Sequence, residues 1–266
     1  MNSFNIHLNE KIASTKSHLC VGLDISPNNL NKIDSDIHDL KKHTFKVIDS
    51  TRDLVVAYKP NLAFYERWGS KGFEWLEETL DYIGEDIITI GDAKRGDIGN
   101  TADQYANSLF GHFGFDAVTL SPYMGKDSIF PFIKNAEKVA FILCKTSNPS
   151  SVDIQNLNSG DTKVFETVAK LSRDWNQNNN IGLVVGATAI NEIGLIRKYA
   201  KDMPFLIPGI GAQGGDLKES MKQGNINGSA IINISRGICF AGNQNEKDIR
   251  MKAVEYCKKM RESLNA

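Results

Sequence analysis

Eight short apolar runs, separated by stretches with helical spacing, constrain this chain's fold more than any other feature. They read HLCVGLD (18–24), LVVAYKP (54–60), DIITIGDAK (86–94), FDAVTLSP (115–122), KVAFILCKTS (138–147), IGLVVGAT (181–188), PFLIPGIG (204–211) and SAIINISR (229–236). Each is nearly continuous in apolar residues, as a strand buried on both faces must be. Between them, apolar residues recur at three- and four-residue spacing: Phe73, Leu76, Leu80 and Ile83 form one stripe, and Val164, Val168, Leu171 and Trp175 another. A last stripe runs through Ile249, Ala253, Cys257, Met260 and Leu264. Strand–helix alternation implies a parallel sheet, and eight repeats are the number that closes into an α/β (β/α)8 TIM barrel.

The sequence has no compositional break, so one barrel domain over 1–266 is expected. One connection stands out, the polar, Asn/Ser-rich segment 148–161 after the fifth strand, which reads as either a lid or a mobile insertion. A formal net charge of −1 offers no global field for nucleic acid or an anionic membrane. The first residues lack the apolar run of a secretory signal, and no apolar segment approaches the ~18 residues that span a bilayer. Cys20, Cys144, Cys239 and Cys257 show no CxxC spacing and read as reduced, mostly buried thiols. Together these features predict a cytoplasmic chain.

In this fold the reactive groups stand at the C-terminal ends of strands. There the chain places Asp24, Lys59, Asp92 with Lys94, Thr146 with Ser147, a glycine run after Pro208, and Arg236. Residues two apart on a strand share a face, so Asp92 and Lys94 point together. Solvated ion pairs capping the barrel, each worth ~0–1 kcal/mol, are the plain alternative. That alternative explains a lone Asp24 well. It explains Asp92, Lys94 and Asp97 beside Lys59 poorly.

"PGIGAQGG" (208–215) spells G-x-G-x-x-G at Gly209, Gly211 and Gly214. A dinucleotide fold expects an acidic partner about 20 residues on, and that region reads Ala230 to Ile234 instead. A phosphate cradle suits a barrel better, because its seventh and eighth loops commonly bind phosphate. Arg236-Gly237 then supplies a forked cation for the dianion. Lys94, lying between Asp92 and Asp97, is expected to remain an ammonium. That makes it a proton donor, not the neutral amine a Schiff base needs. Two carboxylates and an ammonium suit a reaction that generates a carbanion and then protonates it.

DAKRGDIGNTA (92–102) resembles orotidine 5′-phosphate decarboxylase, together with GLD (22–24), YKPN (58–61), KTSNP (145–149), PGIGAQGGD (208–216) and SRGI (235–238). The resemblance runs in order through nearly the whole chain, in the form of the longer bacterial subgroup. It implies conversion of orotidine 5′-phosphate to UMP by a homodimer without metal or organic cofactor. Carried over, Lys94 protonates C6, Asp92 faces the substrate carboxylate, Lys59 holds the charge array and Asp24 binds a ribose hydroxyl. Asp97 is donated to the partner's site, with Ile98 and Thr101 from the same turn. Ser147 reads the pyrimidine, Thr146 being the one-residue alternative. Gln213 bridges base and phosphate, and Pro208, Gly214, Arg236 and Gly237 hold the phosphate.

Hexulose-phosphate synthases and ketogulonate-phosphate decarboxylases share a similar D-x-K-x-x-D element but use Mg²⁺. The Ile-Gly after Asp97 and the lysine of KPN favour the orotidine enzyme. A non-catalytic nucleotide-binding barrel is the other rival, opposed by the filled catalytic positions.

Overall fold

Eight apolar runs do become eight parallel strands, and they close on themselves. In a computed structural model, which describes residues 4–211 and 214–265, the barrel strands are β1 (Leu19–Gly22), β2 (Ala57–Lys59), β3 (Ile88–Arg95), β4 (Ala117–Leu120), β5 (Val139–Lys145), β6 (Ile181–Val185), β7 (Phe205–Pro208) and β8 (Ala230–Ile234). Each pairs with its sequence neighbours, and β1 pairs with β8 to complete the ring. Most strands are shorter than the apolar runs, which continue into the loops, whereas β3 runs one residue past its run to Arg95.

Alternation along the strands sorts the side chains into two concentric cores. Cys20, Ala57, Ile88, Ile90, Ala117, Val139, Phe141, Val184, Leu206 and Ile231 fill the barrel interior. Their neighbours, among them Val21, Tyr58, Val118, Ile142, Leu183, Ile207 and Ile232, face the surrounding helices. Phe141 needs room in that interior, and Gly182 provides it: a Cβ there would come within 2.5 Å of the ring. A helix the strand pattern did not anticipate, Phe4–Thr15, packs Phe4 and Leu8 against this inner cluster. Phe4 meets Phe141 edge-on, with ring centroids 6.2 Å apart.

The predicted stripes are partly displaced. In helix Ser70–Ile83 the buried face runs through Gly72, Trp75, Leu76, Thr79 and Ile83, leaving Phe73 more exposed. Helix Val164–Trp175 buries Phe165, Ala169 and Ser172 while Leu171 faces out. Helix Glu246–Asn265 buries Ile249, Ala253, Cys257 and Met260 as expected, then turns Ser263 inward instead of Leu264. Ser263 satisfies its hydroxyl on the Lys259 carbonyl (2.7 Å), so a small residue fits there. Segment 148–161 contains a turn of 3₁₀ helix (Pro149–Ser151), a short helix (Val152–Gln155) and the start of a two-residue hairpin, Asn158–Ser159 with Thr162–Lys163. Lys145 Nζ donates to Ser151 Oγ (2.9 Å), and Gln155 Oε1 accepts from the Thr146 amide (2.9 Å), tying the segment to β5. All four cysteines are buried and unbridged, as expected. Among the described residues no helix is long and apolar enough to cross a membrane.

Buried Arg197, on helix Ile190–Tyr199, anchors the loops that enter β7 and β8. Its guanidinium donates to the carbonyls of Ala200 (2.9 Å), Met203 (2.6 Å) and Gly224, and lies 3.4 Å from the Phe205 ring centroid. Replacing it by Met strands several buried carbonyls, so Arg197→Met is expected to lower stability by about 3 kcal/mol. Urea unfolding checks this, and activity per folded molecule should stay at the wild-type level.

Candidate active site

On β1–β4 and β8 the inward-facing series changes chemistry as it rises. Above Cys20 come Gly22 and then Asp24; above Ala57, Lys59 and then Asn61. Above Ile90 stand Asp92 and Lys94; above Ala117, Thr119; above Ile231, Asn233 and then Ser235. A cavity of ≈ 540 Å³ opens on this polar tier. Leu143, Val184, Leu206 and Ile210 give it an apolar wall from β5, β6 and β7.

At the centre of the charged side, Asp92 is held from three directions. Lys59 Nζ donates to Oδ2 at 2.6 Å, Lys94 Nζ to Oδ1 at 2.5 Å, and Thr119 Oγ1 to Oδ1 at 3.0 Å. Thr119 Oγ1 also accepts the Lys94 amide at 3.0 Å, so one hydroxyl fixes both the backbone and the charge partner of Lys94. The Asp92 amide donates to the Pro60 carbonyl (2.9 Å), locking the end of β3 to the KPN segment. Lys94 takes a left-handed φ of +49° at a register shift between β3 and β4. For a residue with a Cβ this conformation is strained, and such strain concentrates where geometry serves function.

Burial opposes the charge on both members of the Lys59–Asp92 pair, and in both the partners outweigh it. The Asp92 carboxyl is raised by desolvation but held well below the usual carboxylate range by Lys59 and Lys94. The Lys59 ammonium is penalised by desolvation yet held above the ordinary lysine range by Asp92 and Asp24. Asp24 contributes a second feature: its Oδ1 is buried with no hydrogen-bond partner. Asp24 also borders the cavity as a residue.

Of the sequence-predicted residues, the fold brings Asp24, Lys59, Asp92, Lys94, Ser147, Pro208, Arg236 and Gly237 to the one cavity. Thr146 borders it too, but its hydroxyl donates to Asn148 Oδ1 (2.6 Å) and accepts from Gln155 Nε2 (2.8 Å). Ser147 is held close to β6, where a Cβ on Gly186 would come within 2.7 Å of its amide nitrogen. Arg236 opens a short helix, is exposed and makes no ion pair among the described residues. Asp97, Ile98, Thr101 and Gly214 do not border the cavity of their own chain. Asp97 Oδ1 accepts the Ile98 amide (2.8 Å), while Ile98 and Thr101 are exposed. Gln213 lies outside the described residues. Sequence reasoning missed Thr119, Asn61, Asn233 and Ser235; their inward register after known core positions was the available signal. Among the described residues no three metal-ligating side chains converge.

The pH behaviour of this pair follows from its directions. Asp92, depressed in the fold, stabilises fully above its unfolded value of about 4 and loses that contribution as pH falls through the folded value. Lys59, raised in the fold, stabilises fully below about 10.5 and loses that contribution as pH rises further. Lys59→Met is therefore expected to cost about 3 kcal/mol at neutral pH. Urea titrations should show the gap to wild type narrowing as pH drops below about 4.

Residues 17–248 match the family described as Orotidine 5'-phosphate decarboxylase / HUMPS. A relative from Herpetosiphon aurantiacus named Orotidine 5'-phosphate decarboxylase is 45% identical over 231 residues, covering 86% of both chains. One of the same name from Natronomonas pharaonis is 44% identical over 271 residues, covering 99% of this chain and 98% of the relative. The solved structure of Leishmania donovani OMP decarboxylase superposes with a TM-score of 0.89 at 39% identity, over 99% of both chains. With fold, strand-end residues and near full-length relatives in agreement, the chain belongs to the orotidine 5′-phosphate decarboxylase / HUMPS family.

Proposed function

We propose that this chain decarboxylates orotidine 5′-phosphate to UMP, the final step of pyrimidine nucleotide synthesis, without metal or organic cofactor. The observation that carries the reading is Asp92 clamped between Lys59 and Lys94 in a cavity that also takes in Pro208, Gly209, Arg236 and Gly237. The apolar wall suits a pyrimidine ring, and the glycine loop with Arg236 suits a phosphate dianion.

In this reading the substrate carboxylate lies against Asp92. The C6–carboxylate bond breaks, carbon dioxide leaves, and the electron pair remaining at C6 takes a proton from Lys94. Repulsion between two carboxylates at ~4 Å amounts to about 4 kcal/mol at an effective dielectric of ~20. Enzymes lower barriers by ~8–23 kcal/mol, so ground-state repulsion is a minor share. The larger share falls to the fixed ammonium of Lys94 facing the developing carbanion, in a site dried when the phosphate is gripped. Asp24, at the cavity wall, receives a ribose hydroxyl. Ser147, which borders the cavity at the end of β5, reads the pyrimidine. Pro208, Gly214, Arg236 and Gly237 hold the phosphate, and Gln213 spans base and phosphate.

Asp97, Ile98 and Thr101 do not border their own cavity, which supports a homodimer in which they complete the neighbouring site. Mixing Asp97→Asn with Lys94→Ala should then restore activity after subunit exchange, because some heterodimers carry one site free of both changes. Persistent inactivity with exchange verified counts against shared sites.

The reaction itself is tested by following the orotate ultraviolet absorbance with EDTA-treated protein. The expected result is substrate loss at an undiminished rate, and a drop of at least about 10³-fold in kcat for Lys94→Ala. Metal-dependent turnover of a sugar phosphate with no loss of the chromophore would overturn the assignment. Orotidine lacking its phosphate should lose kcat as well as affinity, because remote binding energy is used at the reacting centre.

A further inference from the structure

We infer that Arg95 is a positioning residue for the Lys59–Asp92–Lys94 array, acting from outside the barrel through Glu66 and Tyr105. The inference rests on the decarboxylase reading of that array. The motivating geometry is a second ion pair that joins the same two strand ends with the charges exchanged. Inside, β2 supplies a lysine and β3 an aspartate, Lys59 to Asp92. Outside, β3 supplies an arginine, Arg95, to Glu66 at the end of the helix Leu62–Glu66 that follows β2.

That helix is rigidly tied to the site at its other end. Asn61 pairs with Asp92 in an isolated bridge, and its side chain caps the helix by accepting the Ala63 amide (3.2 Å). Glu66 is therefore one short helix away from the backbone that carries Lys59 and touches Asp92. Arg95 is equally constrained. Its carbonyl accepts the Ser121 amide at 2.7 Å, and its guanidinium lies 5.0 Å from the ring centroid of Tyr105. Tyr105 belongs to the helix Gly99–Ala106, which grows out of the turn bearing Asp97 and Ile98. One guanidinium thus touches the helix after β2 and the helix after β3.

The residue between the inner and outer contacts is Lys94, whose backbone is left-handed. A strained φ persists only when its surroundings over-determine it. Thr119 holds it from within through the Lys94 amide. Arg95, the next residue, holds it from without. A single half-buried ion pair of this kind contributes only modestly to stability, whereas a small misplacement of Lys94 Nζ from C6 is costly to rate.

The test compares Arg95→Met, Glu66→Gln and the double variant, with folded sites counted by UMP titration. The expected result is a fall of about 10- to 100-fold in kcat per UMP-binding site, with UMP affinity retained. The double variant should fall no further than Arg95→Met alone, since both changes break one clasp. Arg95→Lys, which keeps a cation near Glu66, should recover part of the loss. Wild-type kcat per site in the variants, with only the melting temperature lowered, overturns the inference, as do additive losses. If Arg95→Met does not fold, Glu66→Gln decides alone, and unchanged kcat there overturns it. A wild-type chain that binds UMP without turnover would instead sink the decarboxylase reading, and this role with it.

Discussion

The Asp92 carboxylate, nearly out of solvent, can stay charged only because two ammonium groups and a hydroxyl converge on it. Leaving such a charge unpaired would cost several kcal/mol. Its three partners come from β2, β3 and β4, so satisfying Asp92 fixes the relative height of three adjacent strands. The site is thus a structural requirement of the barrel mouth as well as a reactive arrangement. Electrostatics there sets two groups in opposite directions, Asp92 low and Lys59 high. The outcome is a charge pattern that does not titrate near neutral pH.

The same period-two geometry builds floor and site from one set of strands. Inward residues low in the barrel are apolar and close-packed, with Phe4 and Leu8 of the first helix packed against them. Higher on β1–β4 and β8 the inward positions turn polar and open on the cavity, while those of β5–β7 stay apolar. No separate scaffold is needed to aim these groups, because each is a fixed number of residues above a packed core position. The apolar wall from β5–β7 and the charged side from β2 and β3 are consequences of which strands change chemistry early.

Where the ladder is irregular, it is irregular at the site. Register shifts occur between Gly91 and Arg95, and between Leu143 and Lys145. The first accompanies the strained Lys94 backbone; the second precedes Thr146 and Ser147, which carry the segment anchored by Ser151 and Gln155. Bulges of this kind re-aim side chains at strand ends. In β3 the bulge is held from both sides, by Thr119 within the barrel and by the Glu66–Arg95 pair outside it.

The sequence by itself determined the eightfold alternation, the closed parallel barrel, and the strand ends on which Asp24, Lys59, Asp92, Lys94, Ser147 and Arg236 stand. These were legible because strand periodicity is local: a run of apolar residues reveals its own two faces, and a charge at its end is anomalous without any knowledge of partners. The order of the motifs along the chain made the family resemblance readable for the same reason. Only the tertiary structure decided that Thr119 and Asn61 join the site, that the Thr146 hydroxyl is occupied, and that Phe73, Leu171 and Leu264 lie off the core. It also decided that Asp97, Ile98 and Thr101 do not border their own cavity. Each of these depends on residues distant in sequence: Thr119 matters only once β4 is in register with β3, and Arg95 only once Glu66 and Tyr105 close around it. A residue's neighbours across a barrel are set by strand register and helix packing, and neither is written in the periodicity of any single segment.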